Sequence, residues 1–285
     1  MPPVLLAGLL YLGSGIGLLG YRIIRVQPIL GELRTLTSVQ KWKLLGAIVS
    51  GGVIAPVFFT YGLRTGTAFE VSGLLNLETV ATTVIAWLLF REHIGWRVWG
   101  GKVLLLVGAI VMGVQLSDFS LSRASLYIVG ACLFWGLDNN LTREVEDLAP
   151  SLLAGVKGAL AGIFNICFGF SLGERIHSIN SAGIALGIGA VSYGLSLVLF
   201  ILALRLMGAS RTSTYFATGP FLGMLFSLLL LGDKPSVFEW IGSAIMVAGV
   251  WTLYGEHHEH EHTHGELKHS HAHYPDSQHR HSHES

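Results

Sequence analysis

The chain has 285 residues, of which 51% are hydrophobic and only 13% are charged, and its mean hydropathy is +0.58. A soluble protein carries charge on about a quarter of its residues, so the composition excludes an ordinary soluble domain. The formal net charge is zero, which leaves no basic stripe to neutralise the phosphates of a nucleic acid. The composition therefore indicates a membrane protein.

Nine apolar stretches have the length of membrane-spanning helices. A backbone that faces lipid must satisfy its own hydrogen bonds, and apolar runs of about 20 residues do so by forming helices. The predicted spans are 3–21, 44–63, 67–90, 97–115, 124–142, 151–171, 182–204, 211–231 and 238–254. We therefore expect an all-α polytopic membrane protein.

The distribution of lysine and arginine predicts the orientation, because positively charged loops stay in the cytoplasm. Most of these residues fall on alternate connections, which place them on one side of the membrane: Arg22, Arg25, Arg34, Lys41, Lys43, Arg91, Arg97, Arg143, Arg205, Arg211, Lys268 and Arg280. The other side receives far fewer: Arg64, Arg123, Arg175 and Lys234. The sequence thus predicts a multi-pass protein of the cytoplasmic membrane with a cytoplasmic C-terminus.

Two stretches of the chain are near-copies of one another. The residues Leu63, Arg64, Ala68, Ser72, Leu89, Glu92, Trp99, Gly101 and Gly108 recur as Leu204, Arg205, Ala209, Ser213, Leu230, Asp233, Trp240, Gly242 and Gly249. Their offset is constant (240 − 99 = 141), which indicates an internal duplication. Pro3, Leu5, Leu6, Ala7, Gly8 and Gly15 likewise match Pro150, Leu152, Leu153, Ala154, Gly155 and Gly162.

Duplicated halves are typical of secondary transporters, which bind their substrate between the halves. We predict a first repeat at 1–116 and a second at 124–254. The second repeat has a helix, 124–142, whose counterpart would precede Met1. The interpretation is a ten-helix, five-plus-five inverted repeat that lacks its first helix, and a true nine-helix protein is the alternative.

The chain resembles the EamA-type members of the drug/metabolite transporter superfamily. The resemblance rests on the duplicated five-helix unit, on the sequence Leu-Phe-Trp-Gly at 133–136, and on the repeat ends. Those ends combine Leu-Leu-Phe-Arg-Glu with Trp-Gly-Gly at 99–101, and Leu-Leu-Gly-Asp with Trp-Ile-Gly at 240–242. The resemblance covers about residues 2–254 and implies a carrier of small solutes, often an exporter, and no enzyme.

Polar residues inside the predicted spans are the candidate site, because a charged side chain at a helix centre costs about 2.5–3.5 kcal/mol or more. The candidates for substrate binding or coupling are Glu78, Asp138, Asn139, Lys157, Asn76 and Trp135. Glu78 is either a proton- or cation-binding group or the structural partner of a lysine. Lys157 could bind an anionic substrate group or pair with Glu78 or Asp138.

Other polar residues receive structural interpretations. Asn165 is expected to bridge helices, and Glu92 and Asp233, which occupy equivalent repeat positions, are expected to order helix ends. Glu70 and Lys102 lie near helix ends, so we expect their head groups to reach the membrane interface.

After Tyr254 the composition changes to a histidine-rich tail, 255–285, which cannot bury an apolar core and is predicted to be disordered. It holds eleven of the 13 histidines: His257, His258, His260, His262, His264, His269, His271, His273, His279, His281 and His283. Imidazoles spaced by one residue, with carboxylates nearby, can bind Zn²⁺, Ni²⁺, Co²⁺ or Cu²⁺.

The main hypothesis is a secondary transporter, in the direction of export, that moves a small solute by alternating access between its two halves. One alternative is a divalent-metal exporter whose tail gathers ions; another is a membrane-anchored metal buffer or sensor that transports nothing. No cofactor is expected to be required, and the tail can bind a divalent transition metal. The expected partners are a small-molecule or ion substrate and the lipid bilayer, and a homodimer is an open option.

Overall fold

A computed structural model describes residues 1–92, 94–115, 120–207, 212, 215–254, 259–264 and 267–272. Within this part of the chain, six helices are long and apolar enough to cross a membrane. They are α1 (Pro3–Ile24), α3 (Ser38–Thr65), α4 (Ala68–Phe90), α5 (Trp96–Gly113), α7 (Pro150–Ser171) and α8 (Ile179–Met207). The protein is an all-α polytopic membrane protein, as its composition predicts.

The other predicted spans are also helical. The stretch 124–142 forms α6 (Arg123–Arg143), a 21-residue helix that is the least apolar of the long ones because it contains Asp138, Asn139 and Asn140. Two shorter apolar helices follow later, α9 (Gly219–Leu231) and α10 (Val237–Tyr254). A short helix that the sequence did not predict, α2 (Leu30–Thr35), lies between α1 and α3.

Four of these helices depart from regular α-helical geometry. Segments of π-helix interrupt α3 at Ile48–Ile54 and α8 at Gly189–Tyr193, and a third closes α9 at Ser227–Leu231. Helix α4 is broken into Ala68–Leu74 and Leu77–Phe90. Such irregularities are uncommon in helices and frequently occur at functional sites.

The structure keeps the offset of the duplication. Helices α3 and α8 begin 141 residues apart (38 and 179), as do α5 and α10 (96 and 237). The π-segments of α3 and α8 also begin 141 residues apart (48 and 189). The repeat therefore reproduces a backbone irregularity as well as an apolar pattern.

Equivalent helices of the two copies pack against each other in antiparallel pairs. Along α1 and α7, a Cβ added to Gly15 would lie 2.4 Å from the Ala159 nitrogen, and one added to Gly162 would lie 2.4 Å from the Leu12 nitrogen. Such contacts require glycine, which allows helix backbones to approach closely. Helices α5 and α10 use Gly108 in the same way, against the Gly242 carbonyl. Antiparallel packing of equivalent helices is the relation expected of inverted repeats.

Two pairs of short strands complete the described chain. Strands β1 (Val114–Gln115) and β2 (Ser120–Leu121) pair antiparallel before α6. In the tail, β3 (Glu259–His264) pairs antiparallel with β4 (Leu267–Ala272). The residues of β3 and β4 are therefore paired strands, whereas the sequence predicts disorder for this segment. Backbone pairing of two strands requires no apolar core, although a two-stranded ribbon is only marginally stable alone. Disorder of the other tail residues stays a prediction.

Candidate functional site

The site is built around the π-helical segment of α3. A π-turn shifts the helical hydrogen-bond ladder and leaves backbone carbonyls for other donors. The carbonyl of Gly51 accepts hydrogen bonds from the Tyr11 hydroxyl (2.7 Å) and the Trp135 Nε1–H (3.1 Å), and the Gly52 carbonyl accepts one from Asn165 Nδ2 (3.1 Å). Helices α1, α6 and α7 are thereby connected to α3, and Asn165 bridges two helices as predicted.

Gly51 also leaves space for a carboxylate. A Cβ at this position would lie 1.9 Å from Asp138 Oδ2 and 2.4 Å from Asp138 Cβ. Only glycine permits the α6 backbone to place Asp138 against the π-turn. The adjacent Gly-Gly pair in α3 is therefore part of the site and not only a helix-packing feature.

Asp138 and Lys157 form a buried ion pair. The Lys157 Nζ donates to Asp138 Oδ1 at 2.5 Å. The Lys157 side chain is 3% exposed and the Asp138 side chain is 7% exposed. The Thr142 hydroxyl donates to the same carboxylate oxygen (2.9 Å) and accepts a hydrogen bond from Lys157 (3.0 Å). Of the partners that the sequence left open for Lys157, the structure selects Asp138. Charge and hydrogen-bonding capacity are closely matched within this triad.

Glu78 has a different environment. It is 8% exposed, and its Oε1 accepts a hydrogen bond from Asn139 Nδ2 (2.9 Å), which also donates to the Thr82 hydroxyl (3.1 Å). Within the described residues no lysine, arginine or histidine forms an ion pair with Glu78. The second segment of α4 begins at Leu77, so Glu78 lies in its first turn. A helix N-terminus stabilises a negative charge.

The break in α4 is adjacent to Glu78. Asn76 is fully buried, and its Nδ2 donates to the Gly73 carbonyl at 3.3 Å, while its Oδ1 accepts no hydrogen bond from the described residues. Asn140, one residue beyond Asn139, donates to the Thr82 carbonyl (3.0 Å) and the Gly136 carbonyl (2.8 Å). Asn140 therefore fastens α6 to α4 and does not contribute a side chain to the Glu78 environment.

In the structure, the six predicted site residues form two pairs and two separate positions. Glu78 and Asn139 contact each other directly, and Asp138 and Lys157 form the neighbouring ion pair. Trp135 donates to the π-turn and packs on Phe59, with ring centroids 5.5 Å apart, and Asn76 lies at the α4 break. The sequence analysis missed Tyr11 and Gly51. The Gly51-Gly52 pair is a local sequence signal for the π-turn, whereas Tyr11 has no such signal.

Residues near the helix ends divide between confirmed and wrong predictions. Asp233 Oδ2 accepts a hydrogen bond from the Phe69 backbone N–H (3.0 Å) at the start of α4. Glu92 forms an ion pair with Arg143 at the end of α6. Both carboxylates therefore order helix ends, as predicted. Glu70 accepts hydrogen bonds from serine hydroxyls. Lys102 is 1% exposed, so the expectation that its head group reaches the interface is wrong: this side chain is directed into the protein.

The metal-binding prediction is not tested by the described residues. Five tail histidines belong to β3 and β4: His260, His262, His264, His269 and His271. The others lie outside the described residues: His257, His258, His273, His279, His281 and His283. Within the described part of the chain no group of three or more His, Cys, Asp or Glu side chains is placed to hold a metal ion.

Comparison with known proteins identifies the family. The model of the EamA-like transporter family matches residues 1–114 and again 122–255. A solved crystal structure superposes with a TM-score of 0.66 over 88% of this chain and 87% of that chain, at 18% identity, which supports the fold alone.

Two curated relatives are named as transporters. An "uncharacterized transporter" of Methanothermobacter thermautotrophicus is 30% identical over 219 residues, which are 74% of this chain and 63% of that protein. The chain therefore spans less than two thirds of this relative's length. The "uncharacterized inner membrane transporter YedA" of Escherichia coli K12 is 24% identical over 258 residues, covering 87% of this chain and 80% of YedA. Together with the family match over both parts of the chain, these similarities show that the protein belongs to the EamA-like transporter family.

Proposed function

We propose that the protein is a secondary transporter that exports a small solute by alternating access between its two repeats, with Glu78 as the group that binds a proton or a cationic substrate. The observation that carries this proposal is the contrast between two buried carboxylates. Asp138 has a lysine and a threonine as partners, whereas Glu78 has an amide and no cation among the described residues.

A buried carboxylate that lacks a cation favours uptake of a proton or of a positively charged ligand. Asn139 can support either state of Glu78: its Nδ2 donates to the ionised carboxylate (2.9 Å), and a rotation of the amide would present its oxygen to a protonated one. Helix α4, which carries Glu78, is broken just before it. Discontinuous helices form the substrate sites of many transporters with inverted repeats.

The Asp138–Lys157 pair has a supporting role in this proposal. Its two charges cancel, so the net charge of the cluster depends on Glu78 alone. The pair joins α6 to α7, and Thr142 connects both members. We infer that it holds α6 in the position from which Asn139 reaches Glu78.

The test is Glu78→Gln in the full chain, reconstituted in liposomes and studied by solid-supported-membrane electrophysiology. Amino acids, organic amines and Zn²⁺ are applied in turn as probes, each with and without a pH gradient. A probe that produces a current with the unaltered chain is expected to produce none with Glu78→Gln, since the amide neither binds a proton nor balances a cation.

Glu70→Gln is the matched control. Glu70 lies on the same helix, but it accepts hydrogen bonds from Ser122 and Ser125, which an amide oxygen can also accept. We expect Glu70→Gln to retain the current. Equal currents from Glu78→Gln and the unaltered chain would remove Glu78 from the proposal.

A metal-exporting variant is favoured by one observation, the eleven histidines of the tail. Cells preloaded with Ni²⁺, Co²⁺ or Zn²⁺ would express the full chain, a chain ending at Tyr254, or Glu78→Gln. Metal loss that depends on Glu78 and weakens without the tail would support export of metal. Equal loss in all three strains would favour an organic solute and leave the tail as a metal buffer or sensor.

A further inference from the structure

The ends of α4 and α9 have the same backbone turn in the two copies of the duplication. Each helix is followed by a residue in the left-handed conformation, Arg91 (φ 53°) after α4 and Gly232 (φ 71°) after α9, at the repeat offset (232 − 91 = 141). The backbone N–H of the next residue, Glu92 or Asp233, donates to the carbonyl six residues earlier, at 3.2 Å in both copies. The first copy has this turn although the left-handed conformation is unfavourable for a residue other than glycine.

The carboxylates that follow these turns each contact the other copy. Glu92 belongs to the first copy and forms an ion pair with Arg143 at the end of α6, which belongs to the second. Asp233 belongs to the second copy, and its Oδ2 accepts the backbone N–H of Phe69 at the start of α4, in the first (3.0 Å). Two equivalent carboxylates therefore fasten the copies to each other.

The two contacts lie at opposite ends of one membrane-spanning helix. Helix α4 begins at Ala68, next to the Asp233 contact, and ends at Phe90, next to the Glu92 contact. Its 23 residues span roughly 35 Å at 1.5 Å per residue, which is close to the thickness of the hydrocarbon core of a bilayer. Each contact thus holds the two copies together on a different side of the membrane.

The α1–α7 pair joins the copies in a different way. The backbones of these helices touch at Gly15 and Gly162, and such close packing binds two helices along their length. Helix α4, in contrast, is broken at 75–76, and α9 changes to a π-helix over its last turn. Interruptions of the hydrogen-bond ladder are points at which a helix bends. Movement between the copies is therefore easier at the ends of α4 and α9 than along α1 and α7.

We propose that Glu92 and Asp233 make the two gate contacts of the carrier. The Glu92–Arg143 contact breaks when the central site opens at the end of α4, and the Asp233–Phe69 contact breaks when the site opens at the start of α4. This inference rests on the alternating access of the proposed function. Both contacts are formed in the structure and Glu78 is 8% exposed, as a state closed at both ends requires.

The two gate contacts differ in chemistry. The Glu92 and Arg143 side chains are 23% and 22% exposed, and a second exposed ion pair, Lys43–Glu144, joins the copies at the same end. Asp233 binds an uncharged backbone N–H instead. Salt screens ion pairs that are exposed to water. A high salt concentration should therefore loosen the Glu92 end more strongly than the Asp233 end.

The experiment is hydrogen exchange with mass spectrometry on the full chain in lipid nanodiscs, without solute. Residues 139–142 of α6 report on the Glu92 end, and residues 71–74 of α4 report on the Asp233 end. We expect Glu92→Ala to speed exchange about threefold to fivefold at 139–142 with no rise at 71–74, and Asp233→Ala to do the reverse, since contacts of these kinds contribute up to about fivefold to an equilibrium. A rise at both ends in either variant, or at neither end, would overturn the proposal.

Both variants keep neighbouring contacts that support folding. Without Glu92, Arg143 still has Glu144 at 3.6 Å. Without Asp233, the start of α4 keeps the cap that the Thr67 hydroxyl provides for the Glu70 N–H (3.1 Å). Each variant is thus the matched control of the other, because a general loss of stability would raise exchange at both ends.

Two further arms test the carboxylate and its charge. Arg91→Gly gives the first copy the residue of the second and leaves Glu92 in place, so exchange should stay unchanged at both ends. Raising the KCl concentration should speed exchange in the unaltered chain more at 139–142 than at 71–74. A response to Arg91→Gly as large as that to Glu92→Ala, or an equal effect of salt at the two ends, would contradict the assignment.

The measurement separates this proposal from the role of Glu78, because no solute is present. If Glu78→Gln abolishes the transport current but the gate variants raise exchange at both ends, the gate contacts are refuted and the proposed function stands. If Glu78→Gln keeps the current and each gate variant raises exchange only at its own end, the gate contacts stand and the role of Glu78 is refuted.

Discussion

Helices α3 and α8 are equivalent members of the two repeats, and they share a backbone irregularity but not its chemical surroundings. Their π-segments, Ile48–Ile54 and Gly189–Tyr193, begin 141 residues apart. In α3 the segment presents two glycine carbonyls to Tyr11, Trp135 and Asn165. In α8 the Tyr193 carbonyl accepts a hydrogen bond from the Ser196 hydroxyl (3.2 Å), which lies one turn further along the same helix.

The comparison extends to the charged residues. Gly219 occupies the position in the second repeat that Glu78 occupies in the first (78 + 141 = 219), and Leu10 of α1 is the equivalent of Lys157 in α7. Among the described residues, the duplication thus preserves the π-segments of α3 and α8, while the charges of Glu78 and Lys157 are found in one copy only. In a carrier that works by alternating access, the binding site opens in turn to each side of the membrane, and a symmetric pair of repeats can provide both openings. The substrate binds at a single site, so the side chains of that site need not be repeated.

The largest effect should come from Lys157→Met, which gives α7 an apolar side chain at the position where α1 has Leu10. Removing one partner of a buried ion pair costs about 3–5 kcal/mol, because the other charge is left uncompensated. Asp138 would be that charge, at 7% exposure. We expect the free energy of unfolding, measured by chemical denaturation in mixed micelles, to fall by this amount.

Lys43→Met is the control for this loss, since the Lys43–Glu144 pair has side chains 30% and 32% exposed. An exposed pair contributes about 0–1 kcal/mol. The double variant Lys157→Met/Asp138→Asn should recover much of the stability, because it removes both charges. A Lys157→Met protein as stable as Lys43→Met would mean that the buried ion pair does not fasten α6 to α7.

The second prediction compares alanine variants at equivalent positions of the two π-segments. These positions are Gly51 in α3 and Ser192 in α8 (51 + 141 = 192). Gly51→Ala places a methyl group where Asp138 Oδ2 lies, 1.9 Å from the ideal Cβ position. Overpacking of this kind costs about 1–3 kcal/mol, with the upper end expected because the carboxylate is held by Lys157. Ser192 is exposed, so Ser192→Ala should change the midpoint of thermal unfolding little. Equal shifts in the two variants would show that the π-segments are packed alike.

Much of the architecture follows from the sequence because hydropathy and repetition act over long stretches. The constant offset predicts that α5 and α10 are equivalent helices, and they pack through Gly101, Gly108, Gly242 and Gly249. The polar residues of the site are also recognisable, since a buried charge in lipid requires a reason.

What the sequence could not predict depends on direction in three dimensions. Hydropathy places Lys102 near a helix end, but it does not tell which face of α5 packs against the protein, and the side chain is buried. The choice of Asp138 over Glu78 as the partner of Lys157 depends on how α6 and α7 approach each other. A π-turn, finally, is a local change in hydrogen bonding for which a Gly-Gly pair gives only a weak signal.

The smallest expected effect concerns two carboxylates that exchange helix caps between α1 and α7. Glu174, which follows α7, accepts the backbone N–H of Leu5 at the start of α1 (2.9 Å), and Glu32, which follows α1, accepts that of Ala149 at the start of α7 (3.1 Å). A lost cap costs about 1 kcal/mol, and Glu174→Ala should cost this amount. Glu32→Ala should cost about 2 kcal/mol, because Glu32 also binds Arg22 (2.5 Å), whose side chain is 2% exposed.

The rate of hydrogen exchange at the Leu5 and Ala149 amides distinguishes the two caps. Each rate should rise only in the variant that removes the cap of that amide. If both amides exchange faster in both variants, the two ends of the α1–α7 pair unfold together, and the caps do not act as separate ties.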